Sequence, residues 1–102
     1  MTSKIRRRVV VKGRVQGVAF RAYARSAARE IGVLGWVRNL PDGSVETVLE
    51  GDPDRVSLML AWLKKGSPHG RVDDIVIIEE KPSGSFVDFD IVFDTWESWR
   101  VR

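Results

Sequence analysis

The sequence predicts an α+β sandwich: a mainly antiparallel sheet with two helices on one face, in the order βαββαβ plus one further C-terminal strand. Three observations lead there. Apolar residues fall at helical spacing in two separate segments, set between runs that read as strands. A Pro41-Asp42-Gly43 turn joins two of those runs directly and makes them a hairpin, since proline presets φ and glycine accepts φ > 0. Each helical segment also stops at a glycine. The 102 residues are expected to form one domain, large enough for a core without staples, with that core over about residues 5–93 and a tail over 94–102.

The first strand is expected over residues 5–12. In the first helix Phe20, Tyr23, Ala24, Ala27, Ala28 and Ile31 make one apolar stripe, which Gly32 ends. Strands two and three cover residues 34–39 and 44–50, on either side of the turn. Asp52-Pro53 opens the second helix, with the aspartate as N-cap and the proline in the first helical position. Its stripe is Val56, Met59, Leu60 and Leu63, with Trp62 beside it. Lys64 and Lys65 suit the negative end of the helix dipole before Gly66. Strand four covers residues 72–80. A Pro82-Ser83-Gly84 turn leads to a last strand over 86–93, where Val87, Phe89, Ile91 and Phe93 alternate with Asp88, Asp90 and Val92.

Composition narrows the chemistry. The absence of cysteine excludes thiol catalysis, disulfides and zinc–thiolate sites. No apolar run approaches the ~18 residues of a membrane span. Arg6-Arg7-Arg8 has the look of a twin-arginine signal, but only Val9-Val10-Val11 follows before Lys12, too short for a signal core, so a cytoplasmic protein is expected. The net charge of +3 is unevenly spread: residues 1–38 carry ten Lys or Arg and one acid, residues 39–102 seven Lys or Arg and thirteen acids. Two readings are open. The first half sets up a field for an anionic ligand, or the two halves interleave in one sheet and the charges mix.

The join between the first strand and the first helix, Lys12 to Arg21, carries the strongest chemical signal. Four N–H groups at a helix start lack intrahelical partners, and no Ser, Thr, Asp or Asn stands there to cap them. Two glycines open the backbone, and Arg21 sets a cation at the positive end of the dipole. An anion in the loop resolves both faults, so the segment reads as a phosphate cradle. It is neither a Walker loop nor a Gly-x-Gly-x-x-Gly fingerprint. His69, the only histidine, has no nucleophile motif near it and reads as a loop residue without a role. The Asp and Glu residues show no metal-ligand spacing; Asp73-Asp74 and Glu79-Glu80 point to opposite faces of a strand.

Gly13-Arg14-Val15-Gln16-Gly17-Val18-Ala19-Phe20-Arg21 resembles the first signature of acylphosphatases, and Gly35-Trp36-Val37-Arg38-Asn39-Leu40-Pro41-Asp42-Gly43-Ser44-Val45-Glu46 the second. The similarity runs from about Arg8 to Phe93. It implies a ferredoxin-like sandwich and a hydrolase that cleaves the carboxyl–phosphate bond of acyl phosphates to carboxylate and inorganic phosphate, with no metal, cofactor or covalent intermediate. Carried over by residue, Val15, Gln16, Gly17, Val18, Ala19, Phe20 and Arg21 match the phosphate-binding loop. Arg21 matches the arginine on the phosphate, and Asn39 the asparagine that positions the attacking water. Taken locally, Arg21 also reads as one of several solvated arginines with Arg25 and Arg29, and Asn39 as a turn residue. Two positions depart from the family pattern: Ala19, which fits if its φ is negative, and Leu40, where a threonine is common.

The expected partner is a small acyl phosphate, with no nucleic acid, no membrane and a monomeric chain. The alternative is a non-catalytic anion- or RNA-binding module of the same topology. The aromatic-rich strand pattern of RNA-binding sheets does not occur; the nearest strand, residues 5–12, has no aromatic residue. A carbamoyl-phosphate-handling domain such as those within larger hydrogenase-maturation proteins would present the same site. In the tail, Trp96 and Trp99 either fold back on the domain or offer an aromatic patch for self-association.

Overall fold

A computed structural model describes residues 3–93, so the expectations for Trp96 and Trp99 lie outside the described residues. The elements follow the expected order: β1 (Ile5–Arg14), α1 (Phe20–Ile31), β2 (Leu34–Asn39), β3 (Val45–Gly51), α2 (Pro53–Lys65), β4 (Arg71–Glu80) and β5 (Phe89–Ile91). They form a five-stranded sheet in the order β4-β1-β3-β2-β5. β1 runs antiparallel to both β3 and β4, β2 runs antiparallel to β3, and only β5 pairs in parallel, with β2. α1 packs over β2 and β5, α2 over β4, β1 and β3, and the helices touch each other, which puts both on one face.

Residues paired across antiparallel strands share a face, so the register sorts the side chains. Val9 lies opposite Thr47, Val11 opposite Val45, and Val37 opposite Thr47. Val9, Val11, Val37, Val45 and Leu49 therefore meet the helices, where Phe20, Ala24, Ala28, Val56, Met59 and Leu63 complete the core. Thr47, a buried polar residue of this face, donates its hydroxyl to the Trp36 carbonyl at 2.7 Å. Tyr23 leaves the expected stripe of α1 and remains exposed.

The opposite face mixes the charges of the two halves. Arg38 and Arg8 both reach Glu46 (2.6 and 3.6 Å), and Arg8 and Arg6 both reach Glu80 (3.1 and 2.9 Å). Glu46 is almost fully buried beneath these cations. Lys4, Arg7 and Arg29 likewise meet Asp52, Glu79 and Asp88. For these residues, interleaving describes the charge pattern better than a uniform positive field.

Two local expectations give way. Asp52 stands at the N-cap of α2 but makes no capping hydrogen bond; its carboxylate takes Lys4 at 2.8 Å instead. That bond and the lysine charge hold its carboxyl below the ordinary aspartate value. The last strand is three residues long, not the expected eight, because Val87 is 93% exposed and the alternation before Phe89 faces solvent rather than a core. The chain must instead cross from one sheet edge to the other. The Glu50 carboxylate steers that crossing by accepting the N–H groups of Ser83 and Gly84 at 2.8 and 2.9 Å. Asp88 then anchors the entry to β5, with its carboxylate on Arg29 and its carbonyl on the Gly35 N–H at 3.0 Å.

Gly35 is a position where this arrangement tolerates no side chain. Its φ is +140°, and a Cβ there would run into the Val48 carbonyl of β3. Gly35→Ala is expected to destabilise the fold by roughly 2–4 kcal/mol through backbone strain and displacement of β2. The check is a urea titration, in which the midpoint falls at an unchanged slope.

Candidate active site

β1 ends in an irregularity at Lys12/Gly13, where the pairing with β4 shifts register. Gly13, at φ +133°, lies so close to the Arg71 carbonyl that no side chain fits. The bend turns the chain into the 15–20 loop ahead of α1. Two buried valines pin that loop from below, Val15 and Val18. From the side, Gln16 donates its Nε2 to the carbonyls of Leu40 and Ser44, both at 2.8 Å.

The backbone between those anchors is left-handed at Gly17 (φ +74°) and again at Ala19 (φ +58°, ψ +27°). Ala19 is the N-cap of α1 and offers no side-chain cap, as its type dictates. The condition under which alanine would fit here without strain, a negative φ, is thus not met. A left-handed alanine costs about 1–2 kcal/mol. Strain of this kind persists only where its surroundings enforce it, and here the helix start and the pinned valines do so. Left-handed residues interspersed in a loop curl successive amides toward a common concavity that suits an anion. Among the described residues, none of the N–H groups of Gln16, Gly17, Val18, Ala19 and Phe20 donates a hydrogen bond. The first helical bond is that of Tyr23 to the Ala19 carbonyl, at 3.1 Å.

Asn39 arrives from the other side. It is the last residue of β2, opposite Val45, and is only 8% exposed. The Pro41-Asp42 turn just beyond it closes through Gly43 N–H to the Leu40 carbonyl (3.1 Å) and Leu40 N–H to the Ser44 carbonyl (2.8 Å). Asp42 completes the turn by accepting the Ser44 hydroxyl and N–H, and those bonds hold its carboxyl below the ordinary aspartate value. Gln16 grips this same turn. One side chain therefore ties the amide loop to the hairpin that carries Asn39.

A pocket of about 190 Å³ forms where the two segments meet. Val15, Gln16, Gly17, Ala19, Phe20, Arg21 and Asn39 all line it, so the structure brings together every expected site residue but one. Val18 is the exception: its side chain joins the hydrophobic core, leaving only its backbone to the loop. Arg21, in the first turn of α1, sets its guanidinium over the Phe93 ring, 4.9 Å from the centroid. Ala22, Ile91 and Phe93 also line the pocket, although nothing local in the sequence marks them as site residues. The signal that could have found Gln16's clamp is its position in the loop, but its partners are backbone carbonyls 24 and 28 residues away. His69 is exposed in the 66–70 loop and does not line the pocket. Among the described residues, no three His, Cys, Asp or Glu side chains gather as metal ligands.

The chain as a whole is similar to known proteins. Residues 7–91 match the family model described as Acylphosphatase. A protein of Syntrophobacter fumaroxidans named acylphosphatase is 54% identical over 93 residues, which is 91% of this chain and 96% of that protein. One from a Roseiflexus species, also named acylphosphatase, is 48% identical over 91% of this chain and its own full length. Among solved structures, the crystal structure of acylphosphatase from Bacillus subtilis superposes with a TM-score of 0.83 at 36% identity. The match covers 86% of this chain and 98% of that one.

Proposed function

This chain belongs to the acylphosphatase family, hydrolases of acyl phosphates (EC 3.6.1.7), and from that premise we propose how its own residues carry out the reaction. The 15–21 loop holds the phosphoryl group of the substrate by its backbone amides. Arg21 adds a planar pair of charge-assisted hydrogen bonds to two phosphoryl oxygens. Asn39 orients a water for attack at phosphorus from the side opposite the acyl oxygen. The bond from phosphorus to that oxygen breaks and the electron pair leaves on the carboxylate: RCO–OPO3(2−) + H2O gives RCOO(−) + HPO4(2−) + H(+).

The physical demands of this step match what the residues offer. Phosphoryl transfer depends on positioning and charge stabilisation more than on covalent chemistry. A carboxylate is a good leaving group, so the water needs orientation rather than a strong base. The Asn39 amide is neutral and directs water without repelling the dianion, as a carboxylate in its place would. The observation that carries the reading is the run of five amides, Gln16 to Phe20, that donate to no described residue, with four of those residues, all but Val18, lining one pocket with Arg21 and Asn39. The reading treats residues 1–102 as one monomeric domain of the cytoplasm that needs no cofactor or nucleic acid. Among the described residues, no helix is long and apolar enough to cross a membrane.

The test is release of inorganic phosphate from a small acyl phosphate, run in 18O-labelled water. Label is expected in the phosphate; label in the carboxylate would place the attack at carbon and refute the assignment. Gln16→Ala is expected to lower kcat about 10- to 100-fold, because loosening the hairpin by as little as an ångström displaces Asn39 from the phosphate. Gln16→Glu, which lacks the amide donors, is expected to be at least as damaging. Circular dichroism of both variants checks that the fold is retained.

A further inference from the structure

We propose that the end of β5 selects the acyl half of the substrate, with Ile91 and Phe93 forming an apolar wall that favours aromatic and other bulky hydrocarbon acyl phosphates over acetyl phosphate. The proposal rests on the reading of the 15–21 loop as the phosphate cradle.

The pocket is divided by chemistry. Its polar groups come from the loop, Arg21 and Asn39, while Ile91 of β5 and Phe93 just after it contribute only hydrocarbon. That division follows from the sheet. β5 runs parallel to β2 with Ile91 beside Val37, and the ladder continues with the Val92 N–H on the Val37 carbonyl at 2.9 Å. Two residues beyond the Ile91–Val37 pair stand Phe93, just past the end of β5, and Asn39, the last residue of β2, and both line the pocket. An acyl phosphate has the same division, a dianionic head and an acyl tail.

Two features of Phe93 call for a ligand rather than a packing role. The side chain keeps 63% of its surface exposed and is not part of the hydrophobic core. Yet it is held in place, since one face lies 4.9 Å from the Arg21 guanidinium. An aromatic ring fixed on one side and open on the other is a preformed surface for a second planar or apolar group. The pocket also has the room. Its ~190 Å³ corresponds to about six waters at ~30 Å³ each, more than a phosphoryl group alone fills. Ile91 continues the wall inward, toward the core it packs against.

The experiment compares kcat/KM for benzoyl phosphate and acetyl phosphate in the full chain, in Phe93→Ala and in Phe93→Leu, together with inhibition by inorganic phosphate. The ratio between the two substrates within each variant, set against the wild-type ratio, cancels their intrinsic reactivities. Phe93→Ala is expected to lower the benzoyl-to-acetyl ratio about tenfold, and Phe93→Leu to retain part of it. The phosphate inhibition constant is expected to move much less than the ratio, since phosphate does not reach the wall. An unchanged ratio in an active Phe93→Ala overturns the proposal. So does an equal loss on both substrates matched by weaker phosphate inhibition, which would mean that the ring acts only by holding Arg21. Wild-type protein that hydrolyses neither substrate would instead defeat the hydrolytic reading on which the wall depends.

Discussion

Arg21→Lys is expected to lower kcat/KM for acyl phosphates by roughly 10³-fold, within the range seen when an arginine is removed from a phosphoryl-transfer site. Charge is preserved in this change, so a role as a diffuse cation predicts almost no loss. The guanidinium differs in shape: it is planar, presents paired donors to two phosphoryl oxygens, and stacks on an aromatic face. The Phe93 ring 4.9 Å from its centre uses that planarity. A lysine ammonium is a point charge on a flexible stem and would settle neither on the ring nor on two oxygens at once. The measurement is steady-state kinetics of Arg21→Lys and Arg21→Ala side by side. If lysine restores most of the activity lost in the alanine variant, the bidentate role is wrong.

Asn39→Ala is expected to lower kcat by roughly 10²–10³-fold, the typical loss of one preorganised hydrogen-bonding group in a transition state. KM is expected to change little, because in the proposed mechanism the amide orients the water while the loop and Arg21 hold the substrate. Such a split, with kcat and kcat/KM falling together, marks an interaction made in the transition state. Asn39→Asp provides the sharper control. It keeps the size of the side chain but places a carboxylate near a dianion, and it is expected to be no better than alanine. Turnover close to wild type in either variant would remove Asn39 from the mechanism.

Much of the architecture was legible because the signals are local. The stripe at Phe20, Ala24 and Ala28 and the stops at Gly32 and Gly66 act within a few residues, and they hold in the structure. The Pro41-Asp42-Gly43 turn likewise sets the β2–β3 pairing. Where a side chain had a distant competitor, local rules failed. Asp52 has the type and position of an N-cap, yet a lysine 48 residues away claims its carboxylate. The alternation from Phe86 onward has the period of a strand, yet Val87 faces solvent because the segment is still crossing the end of the sheet.

The site divides along the same line. By itself the sequence determined that the segment ending in Arg21 is an uncapped, glycine-opened helix start with a cation where the dipole disfavours one. These are properties of residue type and adjacency, and they suit an anion wherever the loop lies. The partner of the loop was a matter for the tertiary structure alone. Gln16 bonds to the hairpin beyond Asn39, the register of β2 on β3 delivers that asparagine to the pocket, and β5 brings Phe93 to Arg21 by pairing in parallel at the far edge. Strand order and register are settled by which faces can be buried together across the whole sheet, a sum over distant residues that no local pattern contains. The sequence therefore specified the chemistry the loop offers, and the sheet decided what stands across from it.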